Sequence, residues 1–292
     1  MEVRAKKGLG QHFLTDQSIA QNIVCALKGS PVLEVGPGMG VLTQYLLGKY
    51  NAPSTPLHPQ GSEASLSGPL LKAVEIDRES VEYLRRHFPE LGDGLIEGDF
   101  LKMDLATVFP GKYSVIGNFP YNISSQIFFK ILDHKDIIPE VVCMVQKEVA
   151  ERIAEKPGTK TYGILSVFLQ AWYDIEYLFT VGSGAFNPPP KVQSAVIRLT
   201  RNSRTSLGCD EKLFRSVVKT AFGQRRKTLR NSLKPLIPAS AKQVSQALGS
   251  SEGPASGSSS TPAGILADPV FDLRPERLSV EDFVRLTLLL QR

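Results

Sequence analysis

Short apolar runs and amphipathic stretches alternate along the first two thirds of the chain. The apolar runs predict buried strands at residues 32–35, 70–76, 95–100, 115–116 and 140–146. Apolar residues at helical spacing predict helices between them, after Asp16 and at residues 41–50, 79–88, 123–134, 147–154 and 164–171. A final pair of strands is predicted at residues 173–181 and 195–200. Alternating strands and helices of this kind are typical of a doubly wound α/β fold.

The last third of the chain has a different character. From Arg198 to Lys234 it carries eleven Lys or Arg residues against two acids. A capping-box-like sequence at Ser279 then starts an amphipathic helix near the end of the chain. We therefore predict two domains, an α/β domain at residues 1–200 and a small helical domain at residues 201–292.

Composition refines this division. Stretches rich in Pro, Ser and Gly at about 51–69 and 249–264 predict flexible surface insertions. The 292 residues are 42% hydrophobic and carry a formal charge of +5, so an acidic partner is indicated only where basic residues cluster. Cys25, Cys143 and Cys209 lack the spacing of a zinc site or a disulfide framework. The first seven residues lack the apolar core of a signal peptide, and no run approaches the length of a membrane span, so we expect neither. We expect a cytoplasmic protein with reduced cysteines.

Three glycines follow the first predicted strand. Gly36, Gly38 and Gly40 would let the backbone approach a ligand at the start of a helix. Their Gly-x-Gly-x-Gly spacing differs from the dinucleotide fingerprint and from a P-loop, so neither a nicotinamide cofactor nor a nucleotide phosphate is supported. Glu34 in the preceding strand would repel a phosphate. A cationic or amino-acid-bearing ligand fits this turn better.

Acidic residues end the next two predicted strands. Glu75 stands one strand–helix unit beyond the glycine turn, where a carboxylate can bind both hydroxyls of a ribose. The alternative role, capping of the following helix, suits Asp77 better than Glu75. Asp99 could accept from an adenine amino group or cap a turn.

The sequence Asn118-Phe119-Pro120-Tyr121 follows the strand predicted at residues 115–116. Proline ends the strand, so the tetrapeptide should lie at the carboxyl edge of the sheet. There an amide, a proline carbonyl and an aromatic face can orient a planar amino group and stack on its ring, as adenine requires. The alternative is an ordinary turn sequence.

Two further segments contain candidate ligand contacts. His12 lies in the Gly-punctuated loop at residues 8–14, and we favour a packing or ligand-contact role for it over that of a catalytic base. Phe186 begins a stiff proline segment, residues 186–192, which could present it as a stacking face. A purely structural crossover is nearly as well supported for this segment.

The densest basic cluster is at residues 224–232, which we expect on a helix with Leu229 and Leu233 as its apolar residues. A run of this kind is usually a solvated face. Its concentration here suggests a site for a phosphate backbone.

These motifs, in this order, resemble the ribosomal RNA adenine N6,N6-dimethyltransferase family (KsgA type). The matching stretches cover nearly all of the chain outside the two insertions and are residues 10–14, 34–40, 75–77, 98–99, 117–123, 146–148, 186–192 and 224–233. The chain departs from the family at His12, where many members carry Asn, and at Phe119, where Leu is common. The resemblance implies a class I S-adenosylmethionine-dependent methyltransferase fold, which is Rossmann-like, followed by a small helical domain.

The resemblance also implies site residues. The cofactor S-adenosyl-L-methionine would be bound by His12, Leu14, Gly36, Glu75, Asp99 and Asn118. The catalytic residues would be Asn118, Pro120 and Tyr121. RNA would be bound by Phe186, Lys191, Arg225, Arg226, Lys227 and Arg230.

The implied reaction is dimethylation of the N6 amines of two adjacent adenosines near the 3′ end of small-subunit (16S) ribosomal RNA. The expected partner is this RNA in a pre-30S particle, and the protein is expected to be a monomer without a metal or a membrane. Two other classes stay open. One is a related enzyme acting on large-subunit RNA or other nucleic acid, and the other is a non-catalytic ribosome-assembly or nucleic-acid-binding protein with the same fold.

Overall fold

The computed structural model describes residues 3–50, 69–237 and 266–291. The two predicted insertions lie outside these residues, apart from residue 69. The strands are β1 (Phe13–Leu14), β2 (Val32–Val35), β3 (Leu71–Glu75), β4 (Leu95–Glu97), β5 (Ser114–Asn118), β6 (Glu140–Gln146), β7 (Tyr173–Val181), β8 (Phe186–Asn187) and β9 (Ser194–Arg201). The α-helices are α1 (Gln17–Ala26), α2 (Thr43–Tyr50), α3 (Arg78–His87), α4 (Ser124–Asp133), α5 (Lys147–Ala154), α6 (Ile164–Gln170), α7 (Glu211–Gly223), α8 (Leu229–Ser232) and α9 (Val280–Leu290).

One sheet of seven strands has the order β4-β3-β2-β5-β6-β9-β7. Neighbouring strands from β4 to β6 run parallel, whereas β9 runs antiparallel to both β6 and β7. The chain moves outward from β2 through β3 and β4 and then returns to the other side of β2 at β5. Strand order therefore reverses between β2 and β5, and such a switch point leaves a crevice at the carboxyl ends of the strands.

The central strands are apolar because both of their faces are covered. Every residue of β2 is buried, as are the first four residues of β5 and the first six of β6. Parallel strands with this degree of burial read as continuous apolar runs and not as alternating ones. That pattern is the one from which the sequence predicted them.

The predicted doubly wound α/β fold is confirmed. The predictions for β2, β6, α5 and β7 match residue for residue, and the other predicted strands and helices of the sheet region differ by a few residues at their ends. The short antiparallel pair of β1 and β8 was not predicted, because a ladder of two residues leaves no periodic pattern in the sequence. It joins residues that are far apart along the chain, with Leu14 opposite Phe186.

The chain divides into two compact units, Met1–Glu151 with Tyr173–Asn202, and Arg152–Trp172 with Ser203–Arg292. The predicted division at residue 200 differs from this at residues 152–172, which belong to the second unit and not to the first.

Aromatic contacts within the second unit explain this assignment. The rings of Phe168 on α6 and Phe214 on α7 lie 6.1 Å apart, centroid to centroid. The rings of Phe222 on α7 and Phe283 on α9 lie 5.9 Å apart. Helix α6 therefore shares a core with helices that follow it by dozens of residues, which sequence order conceals. No helix in the described residues is long and apolar enough to cross a membrane.

Candidate active site

A cavity of about 290 Å³ opens where the strand order reverses. Its walls are the glycine turn after β2, the residues that follow β3, β4 and β5, and residues 8–14. All of these belong to the first unit. The cavity brings together the predicted cofactor and catalytic residues, namely His12, Leu14, Gly36, Glu75, Asp99, Asn118, Pro120 and Tyr121.

The glycine turn has a backbone that other residues rarely adopt. Gly36 and Gly38 have φ angles of 68° and 57°, in the left-handed region. A Cβ on Gly38 would lie 2.9 Å from the ring of Phe13, whereas a Cβ on Gly36 would meet nothing within 4 Å. Gly38 is thus required for close packing, and Gly36 leaves open space beside the cavity.

Glu75 is held at both of its oxygens. Its Oε2 accepts from the backbone N–H of Gly38 at 3.0 Å, and its Oε1 accepts from that of Asp77 at 2.8 Å. Burial raises the pKa of the Glu75 carboxyl above its usual value, against the lowering effect of these hydrogen bonds. Each carboxylate oxygen retains a lone pair, so the group can accept from two further hydroxyls.

Glu34 also lines the cavity, and the residue-level prediction of the site did not include it. Glu34 is 1% exposed, and its Oε2 accepts a hydrogen bond from the hydroxyl of Thr43 at 2.7 Å. Its Oε1 has no hydrogen-bond partner within the described residues. Burial raises the pKa of the Glu34 carboxyl to about 8. The sequence signal was an acid within an apolar strand directly before the glycine turn.

Ile76 is a second cavity residue that the sequence analysis missed. It lies between Glu75, the last residue of β3, and Asp77, the N-cap of α3, and is 54% exposed, an unusual exposure for an isoleucine. The signal was its position at the strand end, directly after Glu75. An apolar side chain there offers a surface for a flat ring.

Asp99 caps a turn, which is one of the two roles that the sequence left open. Its Oδ1 accepts from the backbone N–H of Leu101 at 2.9 Å, and its Oδ2 lies 3.6 Å from the Nζ of Lys102. It also lines the cavity, with its side chain 26% exposed. Capping of the turn therefore fixes a carboxylate at the cavity wall.

Asn118 ends β5 with a defined amide orientation. Its Nδ2 donates to the backbone carbonyl of His12 at 3.0 Å. Since a carbonyl can only accept, the amide nitrogen must face His12. Oδ1 then has no hydrogen-bond donor among the described residues and remains available as an acceptor. Pro120 accepts from the backbone N–H of Ile123 at 3.2 Å, which leaves one lone pair on its carbonyl oxygen.

Tyr121 is fixed at its hydroxyl and beside its ring. The hydroxyl lies 2.5 Å from the Oγ of buried Ser194, and burial raises the pKa of this phenol. The ring of His12 stacks beside that of Tyr121, with centroids 5.4 Å apart and planes at 28°. The Nδ1 of His12 lies 2.9 Å from the carbonyl oxygen of Pro188 and carries a proton, because that oxygen can only accept. These contacts support the packing role of His12.

The family model described as ribosomal RNA adenine dimethylase matches residues 2–55 and 70–250. The chain belongs to this family.

Its relatives include proteins named ribosomal RNA small subunit methyltransferase A. That of Parabacteroides distasonis is 55% identical over 99% of this chain and 95% of the relative, and that of Porphyromonas gingivalis ATCC 33277 is 54% identical over the full length of both. Among solved structures, a dimethyladenosine transferase from Plasmodium falciparum is similar with a TM-score of 0.70 at 24% identity, covering 95% of this chain and 96% of that one. The 23S rRNA methyltransferase ErmE gives 0.57 at 23% identity, covering 96% and 100%. These similarities confirm the methyltransferase fold.

In this member of the adenine dimethylase family, Phe186 does not present the exposed stacking face that the sequence suggested. Phe186 is 4% exposed, packs in the hydrophobic core with Leu14, and is not among the residues that line the cavity. The cause is the pairing of β8 with β1, which turns the ring inward. Lys191, in the same proline segment, is exposed and also lies outside the cavity wall.

The basic cluster was predicted on a helix, but Arg225, Arg226 and Lys227 lie in a turn between α7 and α8. Arg225 donates to the carbonyl of Thr159 at 3.1 Å, which engages it inside the second unit. Arg226 and Lys227 are exposed.

Arg230 is also engaged within the second unit. Its Nη2 donates to Asp272 Oδ1 at 2.8 Å, and its Nη1 donates to the carbonyl of Leu266 at 2.8 Å. The four predicted RNA-binding cations at residues 225–230 therefore fall into two classes, with Arg225 and Arg230 engaged inside the second unit and Arg226 and Lys227 exposed.

Proposed function

We propose that this chain transfers methyl groups from S-adenosyl-L-methionine to the N6 amines of two adjacent adenosines near the 3′ end of 16S ribosomal RNA. The product is N6,N6-dimethyladenosine, formed in a pre-30S particle during small-subunit biogenesis. The observation that carries the proposal is the free acceptor on Asn118 beside the cavity, held in orientation by His12. The names of the relatives, which specify the small ribosomal subunit, support the target.

The donors and acceptors of the cavity fit this cofactor. The spare lone pairs of Glu75 match the two hydroxyls of a ribose, and exposed Ile76 offers an apolar face for an adenine. Asp99 can accept from the amino group of that adenine. The unpartnered oxygen of Glu34 suits the cationic amino-acid end, for which Gly36 leaves space. When bound, the cofactor supplies an electrophilic methyl group on a sulfonium.

The protein's own contribution is to orient a weak nucleophile. The lone pair of an adenine amine is delocalised into the ring, so the amine must be held for attack by the nitrogen. Two acceptors, Asn118 Oδ1 and the second lone pair of the Pro120 carbonyl, can each take one N–H hydrogen and direct the nitrogen lone pair toward the methyl group. No strong general base is required, because the methylated nitrogen is acidic and releases its proton readily.

The target adenine must leave its stack to reach these acceptors. We assign it to the face of the Tyr121 ring opposite His12, since His12 covers the other face. The hydrogen bond to Ser194 stops the ring from rotating away. A stacked face of this kind contributes about 1 to 3 kcal/mol per base.

The RNA backbone is assigned to the exposed cations of the second unit. Arg226 and Lys227 have no competing ion pair among the described residues, so their charges are available to phosphates. Arg225 and Arg230 are assigned a supporting role, because Thr159 and Asp272 already hold them.

Incubation of the protein with methyl-labelled S-adenosylmethionine and small subunits that lack the modification tests the proposal. Mapping of labelled nucleotides should give two adjacent adenosines in the 3′ region of 16S RNA, each carrying two methyl groups. Label in large-subunit RNA only would replace the proposal with the related enzyme class. Binding to small subunits without any transfer would favour the non-catalytic assembly protein.

A further inference from the structure

One wall of the cavity is formed by a segment near the start of the chain. Residues 8–14 all line the cavity, and Asn118 holds this segment on the acceptor side through the carbonyl of His12. The pairing of β1 with β8 fixes its far end. The near end is fixed on the opposite side of the cavity, by Lys6.

Lys6 and Gln11 converge on Asp77. The Nζ of Lys6 lies 2.5 Å from Asp77 Oδ1 and 3.1 Å from Glu79 Oε1. The Nε2 of Gln11 donates to Asp77 Oδ2 at 3.3 Å, and its Oε1 accepts from the backbone N–H of Lys6 at 2.8 Å. Lys6 and Gln11 are thus hydrogen-bonded to each other and to the same carboxylate.

Asp77 links Lys6 and Gln11 to the residues of the cavity. Its side chain is 2% exposed, and its backbone N–H donates to the Oε1 of Glu75. Glu75 in turn accepts from Gly38 in the glycine turn. Although burial acts to raise the pKa of the Asp77 carboxyl, the hydrogen bonds from Lys6 and Gln11 outweigh it and lower that pKa. A continuous series of contacts therefore joins Lys6 to both the cavity wall and the carboxylate assigned to the ribose.

The remaining contacts of the Asp77 carboxylate are longer than the one from Lys6. It accepts from the hydroxyl of Ser80 at 3.3 Å and from the backbone N–H of Glu79 at 3.4 Å, the latter as the N-cap of α3. The cap does not involve Lys6, so α3 keeps it when the ammonium is removed. When a buried carboxylate loses its charged partner, no opposite charge offsets the cost of its burial. The carboxylate must then rearrange or become hydrated.

We propose that Lys6 is a positioning residue for the cofactor. Its ammonium fastens the segment at residues 6–14 to Asp77 and so closes the cavity wall over the bound cofactor, which slows its release. Lys6 does not line the cavity and acts through Asp77 and Gln11. The inference rests on the proposed function, in that the cavity must take S-adenosylmethionine.

The test is the dissociation rate of S-adenosylmethionine from the full-length protein without RNA, measured by stopped-flow displacement, together with the dissociation constant from calorimetry. Lys6→Met should raise the dissociation rate about twofold to fivefold, as loss of an ion pair with one partly exposed partner allows. Hydrogen exchange should become faster at residues 6–14 of the cofactor-bound protein. Lys6→Arg should restore both values, because it keeps the charge.

Two further variants separate this role from general stability. Arg85→Met removes an exposed ion pair with Glu97 in the same unit, N to O 3.3 Å, and should leave the cofactor rates unchanged. In an Asp77→Asn background, which retains an acceptor for the α3 cap, Lys6→Met should have little further effect.

The outcomes are distinguishable. A parent protein that binds no S-adenosylmethionine overturns the proposed function itself. A parent that binds, with Lys6→Met releasing the cofactor at the parental rate, overturns only the role of Lys6. The same holds if Lys6→Arg behaves like Lys6→Met, or if the Asp77→Asn background leaves the Lys6 effect at full size.

Discussion

Replacement of Asn118 by Ala is the most informative perturbation of the proposed site. The amide makes two separable contributions, since its Nδ2 holds the carbonyl of His12 and its Oδ1 is the free acceptor assigned to the adenine amine. Ala removes both. Stacking on Tyr121 and the contacts of the basic residues remain, so RNA should still bind the variant.

The two contributions differ in size. Loss of one neutral hydrogen bond, here from Asn118 to His12, costs about 0.5 to 1.5 kcal/mol of folding free energy. Loss of one preorganised polar contact at a reacting centre costs about 100-fold to 1000-fold in rate, or roughly 2.7 to 4 kcal/mol of barrier. Transfer should therefore fall far more than stability. The second methylation should suffer more than the first, because a monomethylated amine has one hydrogen left for orientation.

Single-turnover transfer to unmodified small subunits at saturating S-adenosylmethionine measures the chemical step, and urea unfolding measures stability. The matched control is Asn122→Ala, which lies in the same loop and also lines the cavity but is assigned no acceptor role; its Nδ2 donates to the carbonyl of Gly8 over a long contact of 3.5 Å. The control should transfer at a rate close to that of the parent. If Asn118→Ala dimethylates at the parental rate, or if Asn122→Ala is equally impaired, the acceptor role of Asn118 is refuted and the tetrapeptide is an ordinary turn.

Three further predictions concern cofactor, RNA and pH. Glu75→Ala should weaken S-adenosylmethionine binding in calorimetry by about 1.5 to 3 kcal/mol, the value of hydrogen bonds to a charged group, and an unchanged constant in a folded variant would remove Glu75 from the site. Replacement of Arg226 and Lys227 by Ala should lower RNA affinity and reduce the slope of log affinity against log salt by nearly one unit per lost phosphate contact. Arg230→Ala should chiefly lower thermal stability, and a double variant with the parental slope would mark the two cations as a solvated face. Because burial raises the pKa of Glu34 to about 8, the folded protein keeps a proton that the unfolded chain loses above its ordinary value of 4.5. Glu34 should therefore contribute a fall in stability of roughly 1.4 kcal/mol per pH unit as pH rises from 4.5 to 8. Glu34→Gln should remove this contribution and leave that of other groups such as Glu75, whose pKa burial also raises. Curves of unfolding free energy against pH that run parallel for parent and variant would contradict it.

Local sequence determined much of this protein. The apolar runs of β2, β5 and β6 and the glycines at 36 and 38 are visible in the chain because burial of both faces of a strand, or a left-handed backbone, restricts residue type at the position itself. The tetrapeptide that starts at Asn118 identified the candidate chemistry for the same reason.

Tertiary structure alone decided which of these groups are available. Phe186 was expected to present a stacking face, but its pairing opposite Leu14 buries it. Arg225 and Arg230 are indistinguishable from Arg226 by composition, yet residues far from them in sequence engage both.

The same applies within the cavity. The free oxygen of Asn118 depends on the carbonyl of His12, and the unpartnered oxygen of Glu34 depends on what surrounds it. The contact of Lys6 with Asp77 crosses 71 positions of sequence. A pattern along the chain specifies the kind of group at each position, whereas the partners that orient, occupy or bury that group come from distant segments, and only the folded arrangement of those segments determines them.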